Sequence, residues 1–188
     1  PALKADAKSV EALVEMLAAA ERPVLYTGGG IITDGNGTGD KAVAFVEITD
    51  NQVIATTNHG IAIASGNHVR LTGNRVVASG LFASGARIPA MNVGVYAINF
   101  YRPEAYFNNS IVGNAIGWVK GDGARNDTYL APGVRSQVRF ADNAALAGLL
   151  TRQTEEAEYD RWLTKVANNG ITLGPLGTAR PTPPASPP

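Results

Sequence analysis

Two stretches of the chain set aromatic rings beside fixed charges. Residues 79–92 carry Phe82 and Arg87, and residues 114–128 carry Trp118, Lys120, Asp122, Arg125 and Asp127. Both contain Gly-Ala-Arg, at 85–87 and at 123–125. A ring face with Arg and Asp beside it suits stacking on a sugar, and it equally suits a protein hot spot. These seven residues are the candidate ligand- or partner-binding surface. The competing expectation is that Phe82, Met91 and Trp118 only pack the two stretches onto the body of the protein.

Other chemistry is thinner. Asp34, Asn36, Thr38 and Asp40 put oxygen donors at alternate positions of D-G-N-G-T-G-D, with glycine at the sixth, as at the start of an EF-hand calcium loop. The twelfth position is Phe45, where a bidentate glutamate is required, so a calcium site would need other groups. The two histidines, His59 and His68, have no third ligand at a recognisable spacing. No carboxylate pair falls where acid–base catalysis would need one, because the outward positions read Ala62, Ala64, Tyr96, Ile98 and Ala131. No catalytic residue is assigned, and the reading leans away from an enzyme.

The elements that hold these residues follow from composition and spacing. Lys plus Arg and Asp plus Glu each total 16, so the formal charge is zero, which argues against nucleic acid or an anionic membrane as partner. Charged residues are only 17% and hydrophobic ones 45%, enough for a packed core. No apolar run approaches the roughly 20 residues that span a bilayer. Cysteine is absent, which removes disulfides and thiolate chemistry. The chain opens at Pro1 without methionine, so an upstream piece is expected to have been removed.

From residue 22 to 146 the chain carries an internal repeat. The segments YTGGGII (Tyr26–Ile32), ITDNQVI (Ile48–Ile54), LTGNRVV (Leu71–Val77), YFNNSIV (Tyr106–Val112) and FADNAAL (Phe140–Leu146) align on Gly29, Asn51, Asn74, Asn109 and Asn143. Val24, Val46, Val69, Glu104 and Val138 stand two positions upstream. Repeats near 22 residues with short strands are what a parallel solenoid requires, in which equivalent residues stack about 4.8 Å apart. Asn51, Asn74, Asn109 and Asn143 are then expected to form a buried amide ladder. Glu47 and Arg70 should pair on adjacent coils. The steps Val76 to Val95 and Ile111 to Leu130 are both 19 residues, where Val53 to Ile61 needs 8. Two adjacent coils therefore carry a matching insertion, and the inserted loops should stand side by side as a wall.

On NHGIAIASGNHVRLTGNRVV (Asn58–Val77) and its echoes, residues 22–146 resemble the right-handed parallel β-helix proteins of the pectate-lyase-like superfamily. The resemblance implies an all-β solenoid: a short right-handed parallel β-helix of about five coils with N- and C-terminal capping helices. The expected parts are a capping helix in 1–21, the β-helix in 22–146, a helix in 147–170 and a proline-rich tail in 171–188. Leu146, Leu149, Leu150, Trp162, Leu163 and Val166 form the apolar positions of the second helix, and Glu155, Glu156, Glu158 and Asp160 its solvated face. A shorter likeness, Ser9–Ile32, is similar to the opening of the middle domain of thiamine-diphosphate enzymes of the acetolactate synthase type, and it ends there. The expected role is a non-catalytic structural or binding module that presents the loop wall to a carbohydrate or protein partner, within a larger or homo-oligomeric assembly. The alternative is a polysaccharide-active lyase, hydrolase or epimerase with loop-borne or intersubunit catalytic groups. An extracellular, cell-surface or virion-associated setting is expected, though the sequence itself specifies no compartment.

Overall fold

The computed structural model describes residues 31–170. Twelve short strands make three parallel, four-stranded sheets, and the chain visits the sheets in the same cyclic order throughout. The first sheet holds β1 (Ile31–Thr33), β4 (His59–Ile63), β7 (Val93–Ala97) and β10 (Thr128–Leu130). The second holds β2 (Glu47–Thr49), β5 (Arg70–Thr72), β8 (Asn109–Val112) and β11 (Val138–Ala141). The third holds β3 (Gln52–Ile54), β6 (Arg75–Ala78), β9 (Ala115–Trp118) and β12 (Ala144–Ala145). This is an all-β, solenoid-like stack. The expected first helix (1–21), most of the segment Tyr26–Ile32 and the proline-rich tail (171–188) lie outside the described residues.

Register explains the core. Ile48, Leu71, Ile111 and Phe140 stack in one inward column, and Val53, Val76, Ile116 and Ala145 in another. Leu71, Val76 and Ile111 are wholly buried. Burying each such side chain contributes about 1.5–3 kcal/mol. Because every pair is parallel and in register, one apolar position in the sequence repeat becomes one continuous apolar column.

The corner between the second and third sheets corrects the asparagine ladder. Asp50, Gly73, Gly113 and Asp142 are left-handed, with φ of 55°, 66°, 67° and 56°, and each precedes an asparagine. Only residues tolerant of that region fit, which accounts for the Gly/Asp choice. The following Asn51, Asn74, Asn114 and Asn143 are joined rung to rung: the Nδ2 of each of the first three donates to the next Oδ1, at 3.0, 2.9 and 2.8 Å. Asn109 is not in this row. It stands in the valine column between Val69 and Val138, accepting from the Val69 amide at 2.9 Å and donating to the Gly66 carbonyl at 3.0 Å. The aligned segment in the fourth repeat is therefore IVGNAIG (Ile111–Gly117), five residues later than YFNNSIV. The slip has a physical source: a second corner uses the same backbone turn, with Phe45, His68 and Asn108 at φ of 57°, 52° and 53°. Asn108–Asn109 thus imitates a Gly–Asn pair. Glu104, placed in the valine column by the slipped alignment, lies instead in a short 3-10 turn, Pro103–Ala105.

The helix α1 (Arg152–Asn168) does not close the end of the stack. It begins only after β12 and a left-handed Gly148, with Thr151 and Thr154 capping one another. It then doubles back across the outer face of the third sheet. Leu150, just ahead of it, is buried over Gly117 of β9, where a Cβ would come within 3.1 Å of it. Farther along, Glu155 accepts from the Ser79 amide, Glu158 from Arg75 Nε at 2.6 Å, and Lys165 donates to the Asp50 carbonyl. Of the expected solvated face, Glu156 and Asp160 are exposed, but Glu155 and Glu158 are buried against the sheet, while Leu149 is 85% exposed.

This docking has a pH signature. Burial pushes the Glu155 carboxyl above its ordinary 4.5, against the opposing pull of the Ser79 amide. The folded state therefore holds this proton more tightly than the unfolded chain does. The associated stability is fully present below the unfolded value and is lost as pH rises through the folded one. Melting temperature should thus fall across the weakly acidic range above 4.5, and Glu155→Gln should flatten that fall. An unchanged slope in the variant, read by thermal melts at stepped pH, would show that Glu155 does not carry it. Among the described residues no helix is long and apolar enough to cross a membrane.

Candidate functional site

The two inserted loops do stand side by side, but they are not equal: in the observed register Val76 to Val95 spans 19 residues and Ile116 to Thr128 only 12, because the expected match rested on the slipped alignment at Asn109. Each is closed by an antiparallel bridge, Leu81 with Arg87 and Val119 with Arg125. Each turns on a left-handed glycine, Gly85 at φ 83° and Gly123 at φ 90°. Phe82 N donates to Ala86 O and Lys120 N to Ala124 O, both at 2.8 Å, so the repeated Gly-Ala-Arg is one turn used twice. The loops join through Gly121 N to Met91 O at 3.0 Å and Asn126 Nδ2 to Asn92 O at 2.9 Å.

Three of the wall's seven candidate residues, Trp118, Arg125 and Asp127, are committed to the fold. Trp118 is wholly buried, its ring lying against Gly60 and its Cβ against Gly94 of the first sheet. Arg125 grips Asp127 with two bonds, 3.0 and 2.7 Å, and also donates to the Leu146 and Gly148 carbonyls. Asp127 accepts from the Trp118 amide at 2.7 Å. That set ties the loop to the chain leaving the last strand. Lys120 pairs with Asp122 at 2.8 Å, and this bond, with the Ala124 amide, holds the Asp122 carboxyl below the usual range. Both are solvent-facing, so the pair contributes little to stability. Phe82 and Arg87 remain exposed, with the Arg87 guanidinium over Gly123 of the next loop.

The glycine-rich stretch turns its oxygens toward protein groups. Asp34 Oδ2 accepts from the Tyr101 hydroxyl at 3.2 Å and Asn36 Oδ1 from Arg102 Nε at 3.1 Å. Thr38 precedes a 3-10 turn, Gly39–Lys41, that contains Asp40. Among the described residues no group of three or more His, Asp or Glu is placed to hold a metal ion. Glu47 and Arg70 pair at 3.3 Å on the exposed face of the second sheet.

Sequence spacing did not single out the corner where the first sheet hands over to the second. Phe45, in the left-handed region and 78% exposed, stacks on His68 with centroids 4.7 Å apart. Phe107 meets the other side of His68 edge-on at 5.4 Å. The imidazole is oriented by Asn67 Oδ1 at Nδ1, 2.8 Å away, and by Asn108 Nδ2 at Nε2, 3.3 Å away. Holding a large exposed ring at positive φ costs of order 1–3 kcal/mol. Two clefts flank Phe107. One, of about 530 Å³, is lined by Phe45, His68, Asp40 and Glu104 among others, and the other, of about 440 Å³, by Asn108, Ser136, Gln137 and Arg139 among others. The signal that could have found them is a ring placed just ahead of the inward valine column, as in Phe45–Val46 and His68–Val69.

A second aromatic row runs over the first sheet. Tyr96 and Tyr129 occupy one outward column with centroids 5.5 Å apart, and His59 lies flat on Tyr96 at 5.2 Å. Burial lowers the His59 pKa, keeping the ring neutral near pH 7. No protein-family model matches the chain, and no curated protein or solved structure shows significant similarity to it.

Proposed function

We propose that the chain is a non-catalytic binding module, a short right-handed parallel β-helix of about five coils and pectate-lyase-like architecture, that presents a fixed surface to a carbohydrate or protein partner in an extracellular or surface setting. The hand follows from strand twist, which makes parallel crossover connections right-handed. One observation carries the binding reading: a row of rings, Phe45, His68 and Phe107, fixed at successive rungs and bordered by two clefts of ligand size. Ring faces with amides and charges beside them favour a carbohydrate, whose C–H faces stack while its hydroxyls bond the amides. This moves the surface from the loop wall to the corner, leaving Phe82 and Arg87 as the wall's free side chains.

Phe107 is the shared wall of both clefts, so Phe107→Ala should weaken glycan binding at least tenfold with little change in melting temperature. Phe82→Ala with Arg87→Ala should leave it unchanged. The check is a glycan array followed by calorimetric titration of the best hit. Loss of binding in the loop variant alone would return the site to the wall, and an array with no hits would exclude carbohydrate. A second reading, a polysaccharide-active enzyme, is favoured by Asp40 and Glu104 lining one cleft. Release of reducing or unsaturated ends from a polysaccharide, abolished by Glu104→Gln, would establish it.

A further inference from the structure

The last strand of each sheet, β10, β11 and β12, lies at the same end of the stack and has one hydrogen-bonded neighbour among the described residues. The core there is open. Phe140 points inward in the column of Ile111 and Leu71, yet it is 42% exposed where they are 0%. Ala145, in register with the buried Ile116, is exposed too. Val134 is buried in the 3-10 turn Pro132–Gln137 that leads into β11, and the bonds of α1 run along the third sheet, to Ser79, Arg75 and Asp50. The ladder also ends unfinished: the backbone amides of Asn51, Asn74 and Asn114 each donate to the next asparagine's Oδ1, and Asn143 has no next rung among the described residues.

We infer that this end is a self-association face on which a second copy of the chain seats about a two-fold axis. A single extended peptide could satisfy only one of the three open edges. A partner must offer three edges in the same triangular arrangement, and another copy of this end does so. With the axis through β11, Phe140 meets the second copy's Phe140, and β10 of each copy faces β12 of the other. Inward side chains then stay inward in both copies, as antiparallel pairing demands. Charge agrees with this register: Arg139 and Asp142 form no ion pair among the described residues, and the two-fold brings each beside its opposite in the other copy. Such a contact closes at two copies, whereas end-to-tail stacking would run on as a fibre. The inference does not rest on the glycan reading, since mass and glycan binding are read separately.

Sedimentation of the full chain tests it. The expected mass is twice the 19.6 kDa of one chain. Phe140→Glu should give a monomer with a melting temperature near that of the wild type, and Ala145→Glu should do the same should the first variant fail to fold. Arg139→Asp should weaken the dimer at least tenfold, and adding Asp142→Arg should restore it. A wild-type monomer at every concentration, a dimer untouched by both glutamate variants, or polymers longer than two copies would each overturn the inference.

Discussion

Trp118→Ala should cost about 3–5 kcal/mol of folding stability, the range for deleting a buried aromatic ring. For a chain of this length that is a fall in melting temperature of roughly 6–20 °C. The indole belongs to β9 and fills the interior between the third sheet and the first, where Gly60 and Gly94 stand in register on β4 and β7. A Cβ on Gly60 would sit 3.1 Å from the ring, and one on Gly94 would sit 2.8 Å from Ile116 and 3.1 Å from Trp118 Cβ. Gly60 therefore leaves room for the edge of the ring, and Gly94 for the base of the side chain and for Ile116 beside it. Gly94→Ala should destabilise by overpacking, because its Cβ would press on the Asp127 carbonyl at 2.7 Å as well as on Ile116 and Trp118 Cβ. Trp118→Phe should be milder than Trp118→Ala, because the indole N–H is buried without an acceptor among the described residues and its removal relieves a desolvation cost of about 1–3 kcal/mol. Arg87→Ala, on an exposed turn, should stay within about 0.5 kcal/mol. Thermal or denaturant melts decide this, and a Trp118→Ala variant that melts with the wild type would mean that the ring is not part of the core.

That residue shows where sequence reading stopped. The parallel stack was legible because Ile48, Leu71 and their equivalents repeat with a turn-forming residue and an asparagine at fixed distance, and an in-register solenoid turns such repetition into columns. That two adjacent coils carry inserted loops was legible for the same reason, but their equal length was not: the register slip at Asn109 made a 12-residue step, Ile116 to Thr128, look like one of 19. The direction of Trp118 was not, since two glycines 24 and 58 residues upstream in the chain make room for it. The register at Asn109 was misread because two corners share one backbone turn and only their inward residues differ. The docking face of α1 was misread in part: Leu150 and Val166 are buried and Glu156 and Asp160 exposed as their types dictate, but Glu155 and Glu158 are buried because Ser79 and Arg75 satisfy them, partners that helical periodicity does not contain. The Phe45–His68–Phe107 row was hidden because its members come from consecutive rungs, and no local spacing links them.

Asn74 is the ladder position whose loss should matter most. It is wholly buried, and its Oδ1 accepts both the Asn51 amide and Asn51 Nδ2 at 3.0 Å. Its Nδ2 donates to the Ile48 carbonyl at 2.7 Å and to Asn114 Oδ1 at 2.9 Å. Asn74→Ala would strand a donor on one rung and a carbonyl on another, each at about 1–3 kcal/mol, so a loss of about 2–5 kcal/mol is expected. Asn143→Ala should cost less, since that residue is half-buried and water can replace part of what it offers. Asn74→Asp separates hydrogen bonding from shape: the carboxylate can still accept from Asn51, but it cannot donate to Ile48 and it faces the Asn114 oxygen. Burial would raise its pKa, so the folded state would bind the extra proton and this variant should grow more stable as pH falls, which Asn74→Ala should not. Asn109→Ala should also destabilise, by stranding the Val69 amide and the Gly66 carbonyl, but without coupling to Asn51. Double-mutant cycles should therefore give a coupling energy for Asn51 with Asn74 and none for Asn51 with Asn109. Coupling of equal size in both cycles, or Asn143→Ala as costly as Asn74→Ala, would mean that the amides act singly and that no ladder holds the corner.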